Sequence, residues 1–144
     1  MEEMMPTRIF VVDDEQVIAD TLSAILRGAG YDAVAFYDAE TALASCQHER
    51  PDFVITDVSM PGMNGIEMAV QIRNRFPECG CGILLFSGHS GTSDLLETAN
   101  KKGYVFELLT KPIHPKDLLA KLESAIRRPV ESDRYLSDSD AMAV

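Results

Sequence analysis

The chain has 144 residues, a length that fits one ordinary domain, and 46% of them are hydrophobic, which is enough to form a core. Its net charge of −10 opposes binding to nucleic acid, because the phosphate backbone would repel it, so we expect no direct nucleic-acid binding by this domain. No apolar run approaches the ~20 residues that span a bilayer, and the acidic start lacks the regions of a signal peptide, so we expect a cytoplasmic chain without membrane association.

Short β-rich runs alternate with amphipathic stretches from the beginning of the chain. The first predicted strand, 8–12, ends at two aspartates and precedes a helical pattern that runs from Val17 to Leu26. The second strand, 32–36, precedes a short helix for which Asp38 is the predicted N-cap. The first two units therefore each consist of a strand followed by a helix.

The same alternation continues through the middle of the chain. A third strand, 53–56, precedes a helix over 65–76, which must end before the next proline. A fourth strand, 82–86, precedes a weaker helix over 93–102, for which Gly103 is the predicted C-terminal cap. These segments add two further strand-helix units.

The last unit and the end of the chain differ in composition. A fifth strand is predicted over 104–109, and Pro115 opens a last helix that extends to Ile126. Residues 6–128 therefore form one predicted domain. The segment 129–144 is rich in Ser and Asp, and we interpret it as a polar C-terminal tail or the start of a linker.

The pattern of the strands predicts how they are arranged. The first, third and fourth strands are nearly continuous apolar runs, which indicates burial on both faces and hence a parallel sheet with helices on both faces. Right-handed crossovers then favour an α/β fold with a five-stranded doubly wound sheet in the order 2-1-3-4-5. In such sheets, ligands bind outside the carboxyl ends of the strands.

Acidic side chains follow two strands that this order makes neighbours. Asp13 and Asp14 end the first strand and Asp57 ends the third, and neighbouring strands lie ~5 Å apart. Three converging carboxylates repel one another, so a cation must stabilise them. Lys111, which follows the fifth strand, supplies one positive charge. Carboxylate oxygens and water also suit Mg²⁺, which we expect as the cofactor.

These groups suggest a reaction at Asp57. An ionised carboxylate is a competent nucleophile, and its attack on a phosphoryl group gives an aspartyl phosphate. Lys111 and the metal would neutralise the oxygens of the transferred group, and Ser87, at the end of the fourth strand, would donate a hydrogen bond to one of them.

The loop after Asp57 fits this reaction. Pro61 and Gly62 predict a turn, and Gly65 is expected to adopt a backbone conformation that bulkier residues avoid. The chain can then fold back and place a backbone carbonyl near the metal.

Four motifs together resemble the receiver domain of two-component response regulators. VVDDE is similar to the acidic pair of that family, and TDVSMPGMNG to its phosphoacceptor loop. FSGH supplies its Ser or Thr, and LTKPI supplies its Lys-Pro pair. The resemblance covers residues 6 to 128 and implies a flavodoxin-like arrangement of the sheet.

The resemblance implies a role for each matching residue. Asp57 would accept a phosphoryl group from a sensor histidine kinase or a histidine phosphotransfer protein, while Ser87 and Lys111 hold the phosphoryl oxygens. The Lys111–Pro112 peptide bond would be cis. Four groups would bind Mg²⁺: Asp13, Asp14, Asp57 and the main-chain carbonyl of Ser59. The output would come from an unknown partner protein, from an effector domain beyond the C-terminus or from a phosphorylation-dependent dimer.

One position departs from the family, and two other functions stay open. Leu108 stands where the family usually carries Tyr or Phe. The family uses the ring at that position to couple the phosphorylation site to the surface of the domain, so this coupling is in question for a leucine. One alternative is a Mg²⁺-dependent phosphatase, although Ser59 occupies the position where such enzymes carry an acid-base Asp. The other is a degenerate receiver that acts as a protein-binding scaffold. We expect no enzymatic activity beyond self-catalysed phosphoryl transfer and slow autodephosphorylation.

Overall fold

The structure is a computed structural model and describes residues 6–77, 80–88 and 92–127, so the predicted tail 129–144 lies outside it. None of the helices in these three ranges is both long and apolar enough to cross a membrane. Strands and helices alternate along the chain as follows: β1 (Arg8–Val12), α1 (Gln16–Gly28), β2 (Asp32–Phe36), α2 (Ala39–Cys46), β3 (Phe53–Asp57), α3 (Gly65–Arg75), β4 (Gly82–Ser87), α4 (Thr92–Lys101), β5 (Glu107–Thr110) and α5 (Pro115–Arg127).

The five strands form one parallel sheet in the order β2-β1-β3-β4-β5, which confirms the predicted topology. The register decides what meets at the carboxyl edge. Val12 lies opposite Thr56, so the next residues of β1 and β3 are two aspartates at the same level. Ser87 lies opposite Thr110, so Lys111 emerges one residue beyond the end of β4.

Burial separates the central strands from the edge strands. Every residue of β3 is buried, and all but the first residue of β1 and β4 are buried, as their apolar runs predict. The edge strands β2 and β5 are mostly half-buried or exposed. The polar residues that follow β1 and that end β3 and β4 therefore lie on the three most buried strands of the sheet.

Helices cover both faces of the sheet. Phe10 and Val12 of β1 belong to a core cluster that also contains buried residues of α2, α3 and α4. Successive side chains of a strand point to opposite faces, so Ile9 and Val11 face the other side. The helix α1 contacts β1 and β2, and its buried Leu22 and Leu26 lie outside that cluster.

Local hydrogen bonds fix where two helices begin. The Thr41 amide donates to Asp38 Oδ1 at 2.7 Å, which confirms Asp38 as the N-cap of α2. At α3, Asn64 and Glu67 form a reciprocal capping box, with N–O distances of 2.8 and 2.9 Å. This capping box sets the end of the loop that begins after Asp57.

The fifth strand begins later than the sequence predicts. It starts at Glu107 rather than at Tyr104, because the Tyr104 amide still donates to Ala99 O at 3.0 Å in the turn that ends α4. Gly103 has a φ of +96°, as expected of a C-terminal cap. The rings of Tyr104 and Phe106 stack with centroids 6.3 Å apart before the strand begins.

The described part of the chain divides into two compact units, and the division falls between Ile113 and His114. The first contains the whole sheet and α1 to α4. The second contains α5, whose Leu118 and Leu122 are buried. All the side chains of the predicted site belong to the first unit.

Candidate functional site

Three carboxylates converge at the carboxyl edge of β1 and β3, and we call Asp13, Asp14 and Asp57 the acidic corner. One oxygen of each lies within 4.8 Å of the others. Asp13 is fully buried and Asp57 is 5% exposed, whereas Asp14 is exposed. The acidic corner is therefore buried at Asp13 and Asp57 and accessible to solvent at Asp14.

Lys111 supplies the positive charge at this corner. Its Nζ lies 3.4 Å from Asp13 Oδ2 and 3.4 Å from Asp57 Oδ1, so it bridges the two buried carboxylates. The same Nζ lies 5.1 Å from the centroid of the Phe86 ring, within the range of a cation–π interaction. The backbone fixes the base of this side chain, because the Lys111 amide donates to Ser87 O at 3.0 Å.

The remaining predicted site residues are placed around the corner. Ser87 is 4% exposed at the end of β4, adjacent to β3. The Lys111–Pro112 peptide bond is cis, which confirms the expectation. Ser59 is exposed, in the loop that follows Asp57. The role of its main-chain carbonyl as a metal ligand stays a prediction.

Burial and charge oppose each other in the protonation of the corner. Burial raises the pKa of Asp13, against the Glu15 N–H that donates to it at 2.9 Å and against the charge of Lys111. Burial and then the charge of Asp13 raise the pKa of Asp57, again against Lys111. Burial alone would lower the pKa of Lys111, but the charges of Asp57 and Asp13 outweigh it and raise that pKa. One ammonium therefore does not fully compensate two buried carboxylates.

This donor set fits a hard divalent cation. Its ligand atoms are carboxylate oxygens, which Mg²⁺ prefers, and the exposed Asp14 leaves room for the waters that Mg²⁺ retains. A bound dication would also favour the ionised forms of Asp13 and Asp57, which burial disfavours. Asp13, Asp14 and Asp57, with the predicted carbonyl of Ser59, would hold the ion.

Two glycines shape the loop after Asp57, for different reasons. Gly62 has a φ of +77°, which agrees with the predicted turn. The expectation for Gly65 was wrong, because this residue has no positive φ. A Cβ at Gly65 would instead collide with the carbonyl oxygen of Asp57, and the Gly65 amide donates to Val58 O at 2.9 Å. Gly65 is needed for the close approach of the start of α3 to the end of β3.

Two contributors to the site were missed in the sequence. Thr56 is fully buried, and its hydroxyl donates to Asp57 O at 2.9 Å, which fixes the end of β3. The sequence feature that indicates this role is a hydroxyl residue within an otherwise apolar strand, because a buried polar group needs a hydrogen-bond partner. Phe86, whose ring faces the Lys111 ammonium, gave no signal because an aromatic residue is ordinary in a buried strand.

Comparisons with known proteins agree with this architecture. The sequence pattern of the response regulator receiver domain matches residues 9–123. The DNA-binding response regulator MtrA of Mycobacterium tuberculosis is 32% identical over 126 residues, which are 88% of this chain and 53% of MtrA. The chain thus spans about half the length of the curated relatives it matches.

Solved structures share the fold. The chemotaxis protein CheY4 of Vibrio cholerae has a TM-score of 0.74 and 29% identity, covering 83% of this chain and 98% of CheY4. NtrX of Brucella abortus has a TM-score of 0.75 and 27% identity, covering 93% of this chain and 29% of NtrX. The matched part is almost the whole of one relative and less than a third of the other.

Proposed function

The chain belongs to the response regulator receiver domain family of two-component systems, and on that premise we propose that it is a switch controlled by phosphorylation of Asp57. The observation that carries the proposal is the position of the Asp57 carboxylate. It is nearly buried at the end of a central strand, between two other carboxylates and the ammonium of Lys111. A structural aspartate would not need such a costly arrangement.

A histidine-phosphorylated protein, either a sensor histidine kinase or a histidine phosphotransfer protein, is the proposed phosphoryl donor. An Asp57 oxygen attacks the phosphorus, a P–O bond forms and the P–N bond of the phosphohistidine breaks. The imidazole nitrogen leaves with the electron pair. Small acyl phosphates can act in the same way, with a carboxylate as the leaving group.

The other side chains of the site stabilise the charge that this transfer moves. Lys111 Nζ already lies 3.4 Å from Asp57 Oδ1 and can contact an oxygen of the incoming group. The Ser87 hydroxyl, on the adjacent strand, can donate a hydrogen bond to a second oxygen. Mg²⁺ bound at the acidic corner would supply further positive charge to the phosphoryl oxygens. We propose that the chain otherwise lacks enzymatic activity and loses the phosphoryl group slowly.

The output of the switch is a separate proposal. MtrA is described as DNA-binding, and only about half of it matches this chain. We propose that the phosphorylated domain acts on an effector domain or on a partner protein, and that a net charge of −10 keeps the domain itself off nucleic acid.

The decisive test uses acetyl phosphate with Mg²⁺ and intact-mass analysis. The wild type should gain the mass of one phosphoryl group, and Asp57→Asn should gain none. Asp52→Asn is the matched control, because Asp52 is an exposed aspartate at the opposite end of β3 and should leave the adduct intact. An adduct on Asp57→Asn, or none on the wild type, would contradict the proposal. Continuous release of phosphate at an enzymatic rate would instead indicate a phosphatase.

A further inference from the structure

The loop that follows Asp57 is held at both ends by hydrogen bonds. At its start the Val58 amide donates to Phe86 O of β4 at 3.0 Å. At its end the Gly65 amide donates back to Val58 O at 2.9 Å, and Asn64 caps α3. The residues between these anchors, 59–63, include the predicted metal ligand, the carbonyl of Ser59.

A side chain from another element contacts the middle of this loop. The Met63 amide donates to Glu40 Oε2 at 3.3 Å, across 23 positions of sequence. The same carboxylate lies close to the preceding residue, since a Cβ built on Gly62 would be 3.2 Å from Glu40 Oε2. Glu40 therefore accepts a hydrogen bond from the loop at Met63 and lies beside Gly62.

The position of Glu40 is itself fixed. It lies in the first turn of α2, directly after Ala39, which is fully buried, and Ala42 is 1% exposed. The cap at Asp38 holds the start of this helix. A carboxylate is also favoured in the first turn by the helix dipole. The Glu40 carboxylate is thus an anchor on a packed element, although the residue is exposed.

We propose that Glu40 is a positioning residue that holds the loop 59–63 in the shape that directs the Ser59 carbonyl toward the bound cation. The inference rests on the proposed function, because it concerns the Mg²⁺ site of that function. Mg²⁺ requires nearly ideal octahedral geometry, so a small displacement of one backbone ligand weakens binding. The hydrogen bond to the Met63 amide fixes the peptide group between Gly62 and Met63, which lies in the same short loop, three peptide groups beyond the Ser59 carbonyl.

Charge and hydrogen bonding can be separated with three variants. Glu40→Gln removes the charge but keeps an oxygen that can accept from the Met63 amide. Glu40→Asp keeps the charge but shortens the side chain by one methylene, so its carboxylate cannot reach the Met63 amide. Glu40→Ala removes both. Glu49→Ala, an exposed glutamate beyond the other end of α2, is the matched control.

The measurement is a Mg²⁺ titration followed by the amide chemical shifts of ¹⁵N-labelled protein. We expect the Mg²⁺ Kd to rise about three- to tenfold in Glu40→Ala and Glu40→Asp, and to stay within about twofold of wild type in Glu40→Gln and Glu49→Ala. The thermal unfolding midpoint in EDTA should fall slightly and about equally in Glu40→Gln and Glu40→Ala, which both remove the charge from the first turn of α2. It should therefore not follow the Mg²⁺ Kd, as a purely structural role would require.

Two results would overturn the inference. In the first, all variants bind Mg²⁺ with the Kd of the wild type. In the second, Glu40→Gln binds Mg²⁺ as weakly as Glu40→Ala while Glu40→Asp keeps the wild-type Kd, which would indicate that Glu40 acts through its negative charge and not through the hydrogen bond. Failure of the wild type to bind Mg²⁺ would be a different result, because it would contradict the proposed function itself.

Discussion

The acidic corner and the β5 edge, residues 104–110, lie on the same sheet but are built differently. The corner ends two central strands, and Asp13 and Asp57 are nearly inaccessible to solvent. The β5 edge is exposed or half-buried, begins with an irregular segment and carries Leu108 where the family usually has an aromatic residue. Burial strengthens the electrostatic interactions that phosphoryl transfer needs, whereas an accessible edge can change its contacts at small cost.

This difference predicts that substitutions at the corner affect stability and chemistry together. The largest effect is expected for Gly65→Ala, whose Cβ would collide with the Asp57 carbonyl oxygen. The free energy of unfolding should fall by about 3 kcal/mol, because backbone must move to relieve the overlap. Urea unfolding measures the loss, and the yield of phosphorylated protein should fall as well.

Gly28→Ala is the control for that substitution. Gly28 ends α1, and a Cβ there would have no neighbour within 4 Å. It should leave stability unchanged or raise it by about 0.5 kcal/mol, since alanine restricts the unfolded chain. Equal effects of the two substitutions would show that the close approach at Gly65 is not needed.

The second largest effect is expected when the Lys111 ammonium, which bridges Asp13 and Asp57, is removed. Lys111→Met leaves two buried carboxylates facing each other, and it should lower the free energy of unfolding by about 2 kcal/mol in EDTA at pH 7. Adding Asp57→Asn should restore about 1.5 kcal/mol of that loss, more than the ~1 kcal/mol expected for the same substitution when Lys111 is present, because the carboxylate it removes is then unpaired. If the two substitutions are additive in urea unfolding, Lys111 does not stabilise Asp57.

The corner was largely predictable from sequence because its groups are strand ends. Asp13 and Asp57 each follow an apolar run, and parallel order alone brings such positions together. The reason for Gly65 was not predictable, because the collision it avoids depends on how closely α3 approaches β3. Glu40 gave no signal, since its contact with Met63 joins residues far apart in the chain.

The β5 edge was predicted less well, for a related reason. Residues 104–106 have the apolar and aromatic composition of a strand, and the sequence pattern places them in β5. Local contacts override this propensity, because Tyr104 completes the turn after α4 and stacks its ring on Phe106. Edge strands have a neighbour on one side only, so such contacts decide where they begin.

The third prediction concerns pH in the metal-free protein. The pKa of Asp57 is raised above its ordinary value of 3.8, so the folded chain binds this proton more tightly than the unfolded chain. The free energy of unfolding therefore falls as pH rises from about 3.8 through the raised pKa, and the loss is complete above it. Asp57→Asn, which cannot ionise, should be more stable than wild type by about 1 kcal/mol at pH 7 and equal to it at low pH.

Thermal unfolding in EDTA across that range checks the prediction, and added Mg²⁺ provides its control. Because the proposed Mg²⁺ site includes the Asp57 carboxylate, Mg²⁺ should raise the unfolding midpoint of wild type more than that of Asp57→Asn. A wild type more stable than Asp57→Asn in EDTA at pH 7 would contradict the burial argument.

The smallest effect is expected at the β5 edge. The Tyr104 hydroxyl donates to Asn74 Oδ1 at 2.6 Å, an exposed bond between the turn after α4 and helix α3. Tyr104→Phe should lower the free energy of unfolding by about 0.5 kcal/mol, and Asn74→Ala should have a similar effect. Because this bond lies apart from the charges of the acidic corner, both variants should reach the same yield of phosphorylated Asp57 as wild type in the intact-mass assay. A reduced yield in both variants would show that this hydrogen bond couples the β5 edge to the acidic corner. Tyr104 would then take the role of the aromatic residue that the family usually carries at the position of Leu108.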